Sequence, residues 1–222
     1  MNNLARASVL IRFFKTGLED GLVNKVSEYT NSQNTISGRD LKSVDKIQLD
    51  IEKRFDIENI KYLRKRTKDN FERKHKYEIS MEKLGQLLLA YNGHPEKVSN
   101  SKKKIFEDYY NVLFNDKPDF MNISIELVKN YHAVFNKYKD LTDKYKYYEQ
   151  KIFYIIYLNR CFEKNDIIKN ILLLEEVLMK YRANEEISPA RKLIQKGFKD
   201  ELDKRIVQEG GTLISPITLN KK

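Results

Sequence analysis

From Ser80 to Gly210, apolar residues recur at spacings of three and four almost without a break, and only a helical chain buries a pattern of that period on one side. Ser80 is placed to cap a first helix carrying Leu84, Leu87, Leu88 and Tyr91, which Gly93 and Pro95 stop. Ile105, Tyr109, Val112 and Leu113 mark a second, broken at Asp116 to Pro118. Ile125, Val128, Tyr131, Phe135 and Tyr138 mark a third; Leu141, Tyr145, Tyr148, Ile152 and Ile155 a fourth; Ile168, Ile171, Leu174, Leu178 and Tyr181 a fifth. In the sixth, Ser188 is the cap, Pro189 the first helical residue, Leu193, Phe198, Leu202 and Ile206 the stripe, and Gly210 the stop. Residues 211–222, "TLISPITLNKK" at their core, read as a loose tail.

The first 80 residues have a different rhythm. "SVLIRFF" (8–14) is β-branched and apolar, as a strand buried on both faces is. Leu18, Leu22, Val26 and Tyr29 give a short helix, and Val44, Ile47, Ile51 and Phe55 another, with Asp40 as its expected N-cap. Phe71, Arg73, His75, Tyr77 and Ile79 then alternate with charged residues, so 61–66 and 71–78 read as a hairpin turning at "TKDN" (67–70). The expected fold is therefore mostly α with a small β element. An α/β segment (1–80) is followed by a bundle of about six helices (81–210) packed on it, and then by the tail. Glycine and proline together number twelve, too few for a turn-rich β protein.

Composition narrows the function classes. With 42 Lys and Arg against 32 Asp and Glu, the formal charge is +10, which favours an anionic partner such as DNA or RNA. Cys161 is the single cysteine and falls in an apolar helical run, which makes it a small buried hydrophobe and fits a reducing compartment. The longest apolar run, "IFYIIYLN" (152–159), is far short of a bilayer span, so a cytoplasmic protein without membrane contact is expected. His75, His94 and His132 are far apart, and no zinc pattern, phosphate loop, dinucleotide fingerprint or nucleophile elbow occurs. A nuclease-like Asp/Glu…Glu-x-Lys set can be written from "EDG" or "DIEK", but strings that short arise by chance. No catalytic residue, metal site or cofactor is assigned.

Two features carry chemistry. Between Lys61 and Lys76 there are eight Lys or Arg against two acids. In an alternating strand Tyr62, Arg64 and Arg66 share a face, a pattern that suits phosphate contact with base stacking. Lys61, Arg64, Lys65, Arg66, Arg73 and Lys74 are the candidate nucleic-acid contacts; a solvated hairpin whose charges block edge-to-edge pairing is the other reading. The second feature is "TNSQNTISGRDL" (30–41), where Asn31, Gln33, Asn34 and Asp40 either close a helix end or line a polar pocket.

The order of these motifs resembles one family. "SVLIRFFKT", then "LVNKVSEYTNSQNTISGRDLKSVDKIQLDIEKRF", then "IKYLRKR" is similar to the AIPR family, the abortive-infection phage-resistance proteins of bacteria. "LGQLLLAYNGHPEKVSNSKKKIFEDYYNVLF" continues the likeness, which spans about residues 8 to 115. The resemblance implies a phage-defence role and a polar pocket for phosphate or nucleotide. Family members usually carry a nuclease-like region and a "GxQT" motif upstream. Measured against that pattern, the chain is expected to be a fragment or split subunit, non-catalytic alone and holding half of the pocket. Strand 8–14 is then expected to pair with a second copy or another subunit. A helical module that docks a partner nuclease, and a partial nucleotide-binding enzyme, are the alternatives.

Overall fold

The structure, a computed structural model, describes residues 37–65, 75–141, 145–146, 148–163 and 166–219. The chain divides between Ser37 and Gly38, and everything below concerns the unit that starts at Gly38. Strand 8–14, the helix before Tyr29, and Asn31, Gln33, Asn34, Arg66, Arg73 and Lys74 lie outside the described residues.

The described elements are mostly helical, with one two-stranded sheet. In chain order they are α1 (Gly38–Lys42), α2 (Lys46–Ile57), β1 (Ile60–Leu63), β2 (Tyr77–Ser80), α3 (Met81–Tyr91), a 3-10 turn (Pro95–Lys97), α4 (Lys102–Ile105) and α5 (Tyr110–Leu113). Then come α6 (Phe120–Asp140), α7 (Glu149–Cys161), α8 (Ile167–Lys180), α9 (Pro189–Leu193) and α10 (Lys196–Gln208).

The hairpin expectation is overturned. β1 and β2 run parallel, with Ile60 opposite Tyr77 and Leu63 opposite Ser80. A two-residue turn joins antiparallel strands only; a parallel pair needs a crossover of about a dozen residues or more, and Arg64 to Lys76 supplies thirteen. Alternation in the sequence sets which face a residue takes and is silent on strand direction. Asn59 begins the pairing from the left-handed region (φ 61°), which asparagine tolerates better than most residues. Its carbonyl accepts the amides of Lys76 (3.0 Å) and Tyr77 (3.3 Å).

Asp40 is not the N-cap of the second helix. It sits within α1, which Ser43 closes through its amide to the Arg39 carbonyl, and α2 starts after Asp45. Val44, assigned to the buried stripe, is exposed, whereas Ile51 and Phe55 are fully buried.

Ser80 ends β2 and caps α3, its Oγ accepting from the Lys83 amide at 3.1 Å. α3 is buried on nearly every side and packs against α4, α6 and α7. Gly93 then takes φ +93°, and a Cβ there would stand 2.9 Å from Pro216 Cα, so glycine is required twice over. α7 is the second central helix, with Ile152 to Leu158 all buried.

Two of the six predicted helices are each two shorter ones, so eight helices follow Ser80 among the described residues. The 105–113 stripe breaks at Phe106 to Tyr109, where bonding shifts to Glu107 N–Lys104 O and Tyr109 N–Lys104 O. The Ser188 helix does begin as expected, its Oγ accepting from Arg191 N, but it breaks at Gln195. Two tyrosines hold that break open. Tyr154 donates to the Leu193 carbonyl (2.7 Å), and Tyr181 donates to Gln195 Oε1 (3.1 Å). The fourth helix starts at Glu149, after extended backbone at Tyr148.

The tail is not loose as far as Leu219. Thr212 N bonds Cys161 O (2.8 Å), Ile217 N bonds Asn92 O (3.1 Å), and Ile214, Ile217 and Leu219 pack on the core. No helix among the described residues is long and apolar enough to cross a membrane.

Buried phenols make the fold sensitive to base. Burial drives Tyr62, Tyr138 and Tyr154 well above the usual tyrosine range and pushes Tyr131 up to about 12. The folded chain thus holds these protons more tightly than the unfolded one. Their contribution to stability is complete below about pH 10 and is lost above it, at about 1.4 kcal/mol per pH unit for each fully buried phenol. The part of the tyrosinate absorbance that comes from these buried phenols is expected to appear in one cooperative step together with the loss of helical circular dichroism. Smooth ionisation of all tyrosines with the helices intact would contradict this assignment.

Candidate functional site

The basic stretch singled out in the sequence borders a cleft of about 350 Å³ between α2 and β1. Glu52, Lys53 and Asp56 line it from α2, consecutive residues Ile60 to Lys65 from the strand and its exit, and His75 from the end of the crossover. Glu52 and Asp56 are one helical turn apart, so α2 presents both to the cleft.

The side chains divide into those already matched and those left over. Arg64 is matched: Nε and Nη2 donate to Glu52 Oε2 (3.2 and 3.1 Å), and Nη1 donates to the Ser43 carbonyl at 2.6 Å. Its fork braces β1 against α2 and the α1–α2 turn, so Arg64 positions the cleft instead of offering a cation to it. His75 Nε2 lies 2.8 Å from Asp56 Oδ1. Lys61 reaches Glu78 across the sheet at 3.7 Å, a long pair with an exposed acid. Lys53 and Lys65 are exposed and have no ion-pair partner among the described residues.

Tyr62 does not stack with ligands. It is 6% exposed, packs edge-on against Phe55 (5.4 Å between centroids), and donates to Gln48 Oε1 at 2.6 Å. Gln48 Nε2 donates in turn to the Tyr110 hydroxyl at 3.0 Å. Burial, with Tyr110 nearby, holds the Tyr62 phenol neutral. This chain of bonds ties α2, β1 and α5 together beneath the cleft.

Of the candidate nucleic-acid contacts, Lys61, Arg64 and Lys65 meet at the cleft, while Arg66, Arg73 and Lys74 fall outside the described residues. Asp40 is half-buried in α1 and is not among the lining residues. Lys53 is a lining cation that the alternation argument missed, because it sits on a helix, apart from the basic run; its place one turn from Asp56 was the available signal. Of the "DIEK" string, Glu52 and Lys53 line the cleft, Glu52 paired with Arg64, and Asp50 is not among the lining residues. No group of three or more His, Cys, Asp or Glu among the described residues is arranged to hold a metal ion.

No curated protein and no solved structure matches the chain. One family model does, that described as "AIPR protein", over residues 1–204, which is most of the sequence. The resemblance carried by "TNSQN", "RDLKSVDKIQ" and "IKYLRKR" is thus upheld, and the chain belongs to the AIPR family, a membership that points to phage defence by abortive infection.

Proposed function

We propose that this chain is a nucleic-acid-associated, non-catalytic module of a phage-defence protein, and that it holds the sugar–phosphate backbone of DNA or RNA at the α2–β1 cleft. The observation that carries the reading is the set of cations left over once internal pairs are made. Lys53 and Lys65 are exposed without a partner among the described residues, and Lys61 is only loosely paired. Arg66, Arg73 and Lys74 add three cations to the same stretch of sequence, and the whole chain is at +10. Such a surface displaces counterions from a phosphate chain, a contribution that carries no sequence information.

Reversing the three described lysines tests this. The variant Lys53→Glu/Lys61→Glu/Lys65→Glu is expected to bind mixed-sequence DNA or RNA at least about tenfold more weakly at low salt. Its log–log salt dependence should be shallower by up to about 0.9 per contact removed. Fluorescence anisotropy against salt measures both. Binding equal to wild type at low salt would end the proposal. Arg64→Lys is expected to act differently, loosening the brace to Glu52 and Ser43 while the charge stays.

A protein-docking role is the second reading, and one observation favours it. Ile168, Leu172 and Met179 are exposed along α8, an apolar stripe that packs on no neighbour among the described residues.

A further inference from the structure

The tail crosses the helical unit as a strap that is docked but shallow. None of residues 211–219 is fully buried; Ile214, Ile217 and Leu219 are half-buried against the core, and Leu213 is 42% exposed. Residues 212–219 form neither helix nor strand. The chain leaves α10 through Gly210, at φ +79° with open space around it. Few buried contacts and exposed backbone bonds mark a segment that opens at a small fraction of the global unfolding free energy.

The floor under the strap is specific. Ile217 is clamped at both backbone groups: its N–H donates to the Asn92 carbonyl at 3.1 Å, and its carbonyl accepts from His94 Nε2 at 2.9 Å. A carbonyl only accepts, so Nε2 donates whichever charge the ring carries. Pro216 rests on Gly93, where a Cβ would stand 3.2 Å from Pro216 Cβ and 3.4 Å from its Cγ, so the floor lies at glycine height beneath the ring. Farther along, Thr212 N donates to the Cys161 carbonyl at 2.8 Å, and a backbone hydrogen bond from Ile214 reaches the Cys161 thiol. Asn92, Gly93, His94 and Cys161 fall within residues 1–204, the extent of the family match, and the strap falls beyond it.

None of these contacts needs the strap to be joined to α10. Backbone donors and acceptors, a flat seat for a proline and two apolar rests receive any extended segment of the same chemistry. Proline has no N–H to satisfy and a fixed φ, so such a segment loses little freedom on docking. We propose that the groove from Asn92–His94 to Cys161 docks an extended peptide of the pattern apolar-x-Pro-apolar, and that Ile214–Ser215–Pro216–Ile217 occupies it in cis until a partner's segment of that chemistry displaces it. The groove residues are not among those lining the cleft at β1, so this site is additional to polyanion contact.

The test loosens the strap in the full chain, because a tethered occupant competes at an effective concentration of about millimolar. Cys161 reports the strap. It is the single cysteine, 3% exposed, and burial pushes its thiol up, so a chromogenic disulfide reagent should label it slowly in the wild type. In Ile217→Asp, labelling is expected to be at least about tenfold faster with helical circular dichroism unchanged. A synthetic peptide of residues 211–219, GTLISPITL, should bind this variant saturably and slow its labelling again. It should bind the wild type at least about tenfold more weakly, and the same peptide carrying Ile217→Asp should neither bind nor slow labelling. Pro216→Gly loosens the same strap and provides the reading if Ile217→Asp fails to fold. The proposal is overturned if both variants label as slowly as the wild type, if the peptide binds neither variant, or if the peptide carrying Ile217→Asp binds equally well.

Discussion

Glu175→Leu is expected to destabilise the fold by about 3–5 kcal/mol, the range for stranding one partner of a buried ion pair. Lys151 is 2% exposed in the first turn of α7, and its Nζ donates to Glu175 Oε1 of α8 at 2.5 Å and to the Lys146 carbonyl at 2.9 Å. Tyr138 of α6 donates to the same Glu175 oxygen at 3.3 Å. The variant keeps the ammonium in the core and removes its only carboxylate partner among the described residues. The rings of Tyr138 and Tyr148 lie 5.8 and 5.6 Å from Nζ, and cation–π attraction of about 0.5–2 kcal/mol offsets only part of the loss.

The double variant Lys151→Met/Glu175→Leu separates stability from specificity. Two apolar groups of similar volume remove the desolvation cost with the attraction, so most of the lost stability should return. Urea denaturation followed by circular dichroism gives all four corners of the cycle. A single variant within about 1 kcal/mol of wild type would mean that Lys151 reaches water, against its burial here. Recovered stability combined with a broadened transition would show that the Tyr138–Glu175–Lys151 contact fixes how α6, α7 and α8 are set against one another.

What the sequence disclosed follows from the range over which each signal acts. Ser80, Gly93, Ser188, Pro189 and Gly210 are local: a cap oxygen reaches a residue three positions on, and a left-handed glycine acts on its own turn. Those positions were legible. Lys151 and Glu175 were not, because a charge at helical spacing reads as a solvated face until a partner 24 residues away is known. Arg64 misled for the same reason. Alternation placed it beside a tyrosine on a strand face, but Glu52, twelve residues back on a helix, captures it. Strand direction was equally hidden, since period-two burial is the same in parallel and antiparallel pairs. The cleft was therefore half readable: its cationic run was plain, and its other wall, α2, became part of the site only through folding.

Gln48→Leu tests whether that wall depends on the buried polar chain beneath it. Gln48 is fully buried, and both ends of its amide are used, by Tyr62 and by Tyr110. Leucine nearly preserves the volume, so packing changes little, but two phenol oxygens inside the fold lose a partner. The Tyr110 hydroxyl keeps its hydrogen bond with Asp45, so Tyr62 is the group left unmatched, and at about 1–3 kcal/mol for such a group the expected loss is about 1–3 kcal/mol. Converting the whole chain, Tyr62→Phe/Gln48→Leu/Tyr110→Phe, should recover much of it, because no group is then stranded. Binding should respond differently from stability. Lys53, Lys61 and Lys65 remain exposed in Gln48→Leu, so affinity for DNA or RNA below the melting temperature should fall by less than in the triple lysine reversal. A Gln48→Leu protein as stable as wild type would show that water or other partners reach these phenols, an acceptor for Tyr62 and a donor for Tyr110. One that keeps its stability but loses binding would show that the setting of α2 against β1, and not the lysines alone, determines the polyanion contact.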